Sequence, residues 1–178
     1  MTIIHANDPT TQFLSVIYSQ REDFRRLITE NNSTSEVKRA IRNDDTIMML
    51  GHGNEYGLFS KPDKKGKVRR LLIKAEFVYL LREKTCIGIW CKANEFANQY
   101  KLHGLFSGMI ISELEEASIF LIPTTLEELE RENKKFAQRM KYCLESFSLD
   151  EVPARMKELD DAKTPLTTFN YNNLYYFP

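Results

Sequence analysis

Residues 47–59 read IMMLGHGNEYGLF: an apolar run, a Gly-His-Gly triplet, and then a second apolar stretch. Extended back by one residue, the run is TIMML (46–50), bounded by Asn43-Asp44-Asp45 on one side and Gly51 on the other. A strand apolar at every position buries both of its faces, which suits the centre of a parallel sheet rather than a half-solvated antiparallel one. The triplet that ends it places an imidazole between two glycines, at the point where the chain leaves that sheet.

Working outward, TIIHA (2–6) is a short apolar run, TCIGIW (85–90) is a second buried strand, and SIFLI (118–122), stopped by Pro123, reads as a third. Helical patterns lie between them. Asp8 can cap a helix with Pro9 in its first position, and Phe13, Leu14, Ile17, Phe24, Leu27 and Ile28 fall at helical spacing, fitting one long or two short helices. Ser33 and Glu36 form a capping box for a helix around EVKRAIR. YGLFS and VRRLLI flank KPDKKGK as a β-hairpin with a solvated basic turn, AEFVYLLRE is a short helix, and HGLFSGMIISELEEA (103–117) looks helical. Thr125 and Glu128 box the start of a long helix whose apolar stripe runs through Leu126, Leu129, Phe136, Met140, Cys143, Leu144 and Phe147. Strands separated by helical patterns argue for βαβ units, and so for an α/β fold with a mainly parallel sheet covered on both faces. Residues 1–178 are expected to form one domain. Residues 148–178, with Pro153, Pro165 and the aromatic end FNYNNLYYFP, form a C-terminal extension that is either an edge element or a segment that docks a partner.

Composition narrows the function classes. Twenty-five basic and twenty-five acidic residues give a formal net charge of zero, so no global field favours nucleic acid or an anionic membrane. KPDKKGKVRR has no interleaved aromatics and reads as a solvated hairpin. MTIIHANDPT lacks a signal peptide's basic and apolar regions, and no apolar run approaches the roughly 18–20 residues of a spanning helix, so a cytoplasmic protein is expected. The three cysteines, Cys86, Cys91 and Cys143, are expected to be reduced thiols. There is no G-x-G-x-x-G and no P-loop, so no nucleotide and no cofactor is expected. His5, His52, Cys91 and His103 could offer up to four zinc ligands, but no close ligand pair stands among them, and no metal is expected.

In an open α/β sheet, ligands bind beyond the carboxyl ends of the strands. That rule selects His52 past the 46–50 strand, Cys91 past the 85–90 strand, and His5, Asn7 and Asp8 past the first. A thiol and an imidazole on one rim make a nucleophile and its base. Gly53 lets backbone approach a substrate closely, so its N–H and that of Cys91 are candidates for an oxyanion hole. Asp8, Asn7 and Glu95 are candidates for a pocket that selects a basic side chain, and Asp8 also serves as a helix cap.

An apolar strand ending in His-Gly (MMLGHG, 48–53), then a hairpin, a helix and a second strand ending in Cys-x-Ala (IGIWCKA, 87–93), resembles the caspase-like cysteine peptidases. This superfamily includes caspases, legumains, gingipains, clostripain and separase. The resemblance covers residues 1 to about 147 and implies a three-layer α/β/α sandwich, a catalytic dyad of His52 and Cys91, and Gly53 as an oxyanion donor. The caspase signature Q-A-C-x-G is absent, and Ile89 and Trp90 stand where clostripain-type enzymes carry an acid, so substrate preference does not transfer. The expected activity is hydrolysis of a protein or peptide substrate through an acyl-enzyme. The alternative is an inactive module of the same fold that binds a regulatory protein partner, using Phe169, Tyr171, Tyr175, Tyr176 and Phe177.

Overall fold

A computed structural model of the chain describes residues 1–61 and 70–178. The basic hairpin turn expected at 61–67 lies, from residue 62 onward, outside the described residues. In chain order the strands are β1 (Thr2–His5), β2 (Arg26–Ile28), β3 (Thr46–Leu50), β4 (Gly53–Asn54), β5 (Gly57–Phe59), β6 (Leu71–Ile73), β7 (Thr85–Ile89), β8 (His103–Ser107) and β9 (Leu174–Phe177). The helices are a 3-10 segment Pro9–Tyr18, then α1 (Thr34–Arg42), a short 3-10 turn Ala75–Phe77 running into α2 (Val78–Leu81), α3 (Ala93–Tyr100), α4 (Leu114–Ile119), α5 (Leu126–Ser146), α6 (Val152–Glu158) and α7 (Pro165–Asn172).

The central sheet has the order β2-β1-β3-β7-β8-β9. Five strands run parallel, and only β9 is antiparallel, pairing Tyr176 with Leu105. Strand residues alternate between the two faces, as the pleat requires. Ile4, Ile47, Met49, Cys86 and Phe106 join one buried cluster with Val37, Ala40 and Ile41 of α1, Leu81 of α2 and Phe96 of α3. Ile3, Met48, Leu50, Ile87, Ile89 and Leu105 join the other, with Leu14 and Ile17 of the 3-10 segment, Phe136, Met140 and Cys143 of α5, and Val152 and Met156 of α6. Helices therefore cover both faces of the sheet. Truncating a fully buried strand residue such as Met48 to Ala costs about 2–5 kcal/mol. A second, three-stranded antiparallel sheet, β4-β5-β6, stands beside the first and is the hairpin that follows His52.

The expected caps form at Asp8 and Ser33, and at Thr125 one half of the expected box forms, the Glu128 carboxylate accepting from the Thr124 hydroxyl instead. Asp8 accepts from the Thr10 N–H, Ser33 and Glu36 cap each other, and Thr125 accepts from the Glu128 N–H. The tail's edge strand is β9, while Tyr171 is buried, stacked on Phe136 with its hydroxyl bonded to Arg139.

Three expectations are corrected. HGLFS is not helical: it is β8, paired with β7 through Ile87 and Leu105. Gly104 sits at φ +122, with a virtual Cβ 2.0 Å from the Cys86 carbonyl oxygen, so the close strand pairing itself demands glycine there. SIFLI is not a buried strand, because α4 ends at Ile119 and the side chains of Ile119 and Leu121 are 75% and 87% exposed. A short apolar run is ambiguous by pattern alone, and β8 had already taken the place beside β7. The 13–28 stretch is not a helix throughout: a 3-10 segment stops at Tyr18, and 26–28 forms the edge strand β2, where Leu27 stays 41% exposed.

Candidate active site

In the register of β3 and β7, Leu50 faces Ile89. His52 and Cys91 each lie two residues past that pair, so adjacent parallel strands deliver imidazole and thiol to equivalent points on the carboxyl rim. Gly51 makes the exit possible at φ +140, a region that favours glycine, with its N–H donating to the Ile89 carbonyl at 3.1 Å. Both side chains line one cavity of about 20 Å³, walled by Thr11, Phe13, Leu14, Gly51, Ile89, Trp90, Ile110 and Ser112. That is space for about one water molecule.

Trp90 ties the two strand ends together. Its backbone N–H donates to Ser107 Oγ at 3.0 Å, the Ser107 hydroxyl donates back to the Trp90 carbonyl at 2.8 Å, and its indole N–H donates to the Asn54 carbonyl at 3.1 Å. The tip of β8 thus holds the residue before Cys91, and the indole holds the hairpin after His52. Gly53 lies under this indole: a virtual Cβ there stands 2.1 Å from Trp90 Cδ1 and 2.6 Å from the Gly57 carbonyl oxygen.

The His52 ring is 8% exposed, and its Nε2 lies 2.7 Å from Thr10 Oγ1, which lies 2.9 Å from Asp8 Oδ1. An ionised carboxylate can only accept hydrogen bonds, so the Thr10 hydroxyl is the donor to Asp8. One proton placement satisfies both contacts: Nε2–H donates to Thr10, and the Thr10 hydroxyl donates to Asp8. Nδ1 is then the basic nitrogen. Glu113 Oε1 lies 4.0 Å from the same Nε2.

Cys91 is half-buried. Its thiol is 3.7 Å from the Ile110 carbonyl and 3.9 Å from Glu116 Oε1, within reach of a sulfur donor. The other oxygen of Glu116 accepts from the Ser112 N–H at 2.7 Å, the Ser112 hydroxyl at 3.2 Å and the Glu113 N–H at 3.2 Å, which fixes the carboxylate beside the thiol. The remaining cysteines differ in kind: burial pushes the Cys86 thiol up to about 12 and the Cys143 thiol up to about 11.

His52 and Cys91 are thus brought together, with Gly53 one residue beyond. Asp8 is buried behind Thr10. Asn7 is exposed, its N–H donating to Glu30 at 2.8 Å, and Glu95 is exposed on the first turn of α3, 3.8 Å from the Lys92 amine. None of these three lines the cavity. His5 bonds to Tyr18 at 3.2 Å and Thr11 at 3.3 Å, and burial pushes its ring down to about 4. His103 begins β8 on the opposite rim, 2.8 Å from the Pro178 carbonyl. Among the described residues no three His, Cys, Asp or Glu side chains gather in a metal-binding arrangement, and no helix is long and apolar enough to cross a membrane.

Thr10, Ser107 and Glu116 escaped the sequence reading. Only Thr10 carries a signal, since Asp-Pro-Thr is a turn that sets the threonine hydroxyl on the aspartate. Compared with known proteins, the chain matches no family model and no curated sequence.

Proposed function

We propose that the chain is a cysteine peptidase of the caspase-like kind, in which His52 and Cys91 hydrolyse a peptide bond of a protein or peptide substrate. The observation that carries the reading is the paired delivery of imidazole and half-buried thiol, from equivalent positions on adjacent strands, into one cavity. The order of elements, a strand ending in His-Gly, a hairpin, helical turns and a strand ending in Cys, supports it.

The chemistry follows from the placement of the protons. Asp8 and Thr10 hold the Nε2 proton of His52, and Nδ1 accepts the thiol proton of Cys91. The thiolate sulfur bonds to the scissile carbonyl carbon, and the oxyanion is stabilised by the N–H groups of Gly53 and Cys91. The intermediate collapses with loss of the C–N bond, and the leaving nitrogen takes the proton from Nδ1. Water, deprotonated by the same nitrogen, then attacks the thioester. The carboxylic acid leaves and the proton returns to sulfur.

A second reading has a specific observation behind it: a fixed carboxylate 3.9 Å from the sulfur opposes thiolate formation, as it would in a binding module whose dyad is silent. Three unbridged cysteines suit a reducing compartment such as the cytoplasm for either protein. The deciding experiment presents a proteome-derived peptide library to the full chain, to Cys91→Ala and to His52→Ala, and reads new termini by mass spectrometry. A peptidase gives cleavage that both substitutions abolish while melting temperatures stay within a few degrees. Absence of cleavage by the unsubstituted chain, or its survival in Cys91→Ala, overturns the proposal.

A further inference from the structure

A larger cleft, of about 400 Å³, opens beside the dyad cavity and shares Phe13 and Ser112 with it. This is within the range of about 300–1,000 Å³ typical of small-ligand sites. Its floor is apolar, with Leu126 and Leu129 at the start of α5 and Leu114 at the start of α4. Leu114 and Leu126 are 42% and 56% exposed, apolar surface left open among the described residues. Its rim carries Glu113 and Glu130, and among the described residues neither pairs with a lysine or arginine. The charge is regional. Residues 102–130 contain six glutamates, no aspartate, and no lysine or arginine, in a chain whose formal net charge is zero. Glu113 also stands 4.0 Å from His52 Nε2, so an occupant of the cleft reaches the dyad.

We propose that this cleft receives a basic side chain of the peptide substrate, with its aliphatic stem on Leu126 and Leu129 and its cationic head between Glu113 and Glu130. The assignment deepens the peptidase reading and rests on it. A lysine or arginine is the side chain that matches both features, because its methylene stem covers apolar surface while its head seeks an anion. An acidic side chain meets like charge, and a purely aliphatic one leaves both carboxylates without a cationic lysine or arginine partner.

The test separates binding from cleavage. The full chain carrying Cys91→Ala is titrated with three capped dipeptides, acetyl-Leu-Arg-amide, acetyl-Leu-norleucine-amide and acetyl-Leu-Asp-amide, by NMR chemical shift. The arginine peptide is expected to bind about tenfold more tightly than the norleucine peptide, and the aspartate peptide more weakly than either. Adding Glu113→Gln and Glu130→Gln removes that preference and leaves norleucine binding unchanged. Exposed Glu130→Gln alone, a change that leaves packing intact, lowers arginine binding by a smaller factor. Equal affinity for all three peptides, or an arginine preference that survives both substitutions, overturns the assignment. Because no cleavage is read, that failure concerns the cleft alone, whereas a retained preference beside an unsubstituted chain that cuts nothing removes the peptidase reading alone.

Discussion

The two walls of the dyad cavity are built by different means. One wall, Gly51-His52 and Trp90-Cys91, is the continuation of two buried, registered strands, clamped through Ser107 and Asn54. The other wall, Ile110 to Glu116, leaves the tip of β8 and is fastened by side chains: Asn170 of α7 exchanges two hydrogen bonds with the Ile111 backbone at 2.8 and 2.9 Å, and Glu116 gathers the Ser112 and Glu113 amides. The strand wall carries the imidazole and the thiol where packing fixes their positions. The loop wall carries the carboxylates of Glu116, beside the thiol, and Glu113, beside the imidazole.

Substitutions can break each wall separately. The largest effect is expected on the strand wall at Gly53→Ala, where the new Cβ has no room between the Trp90 indole and the Gly57 carbonyl. A loss of about 2–4 kcal/mol in denaturant unfolding, with loss of hydrolysis, is expected, and a variant as stable and active as the parent would show that the clamp is soft. Next, Thr10→Val keeps shape but removes the hydroxyl between His52 and Asp8. A fall of about tenfold in kcat, with KM nearly unchanged and a displaced pH profile, is expected of a positioning residue. An unmoved profile would remove Thr10 from the relay.

A smaller effect, of opposite sign, is expected on the loop wall. Glu116→Gln retains an acceptor for the Ser112 amide and deletes the negative charge beside the thiol. Alkylation of Cys91 at neutral pH should rise about threefold to tenfold, and no change would mean that the carboxylate does not bias the thiol.

Outside both walls, at the end of β1, a pH effect on stability reports how dry the neighbouring strand exit is. Burial dominates at His5, and the Thr11 hydrogen bond and the charges of Asp8 and Glu30 only partly offset it. The unfolded chain binds a proton near 6.5 that the folded chain refuses until about 4, so this contribution is complete above 6.5 and is lost as the pH falls toward 4. The loss amounts to about 3 kcal/mol at most, and His5→Gln should flatten the unfolding free energy across that window.

The same contrast explains what could be read in advance. β3 and β7 are apolar at nearly every position, and their exits are marked by Gly-His-Gly and by a cysteine, so the two strands and the placing of His52 and Cys91 on one rim were legible in TIMML and TCIGIW. The loop wall was not legible. HGLFS blends without punctuation into the polar-apolar run that follows, and the strand expected at SIFLI occupied, on paper, the place β8 takes beside β7. Losing β8 as a strand hid Ser107, and with it the loop that brings Glu113 to His52 and Glu116 to the thiol. Asp8 was visible as a helix cap, yet its link to His52 passes through a threonine hydroxyl that no spacing rule selects.

The rate of iodoacetamide modification of each cysteine in the native chain, followed by mass spectrometry across pH with and without His52→Ala, tests the central claim most directly. Cys91 is expected to react well before the buried Cys86 and Cys143, and His52→Ala to slow it about tenfold or more near neutral pH. Reaction at Cys91 no faster than at the other two, or a rate indifferent to His52, would contradict the dyad.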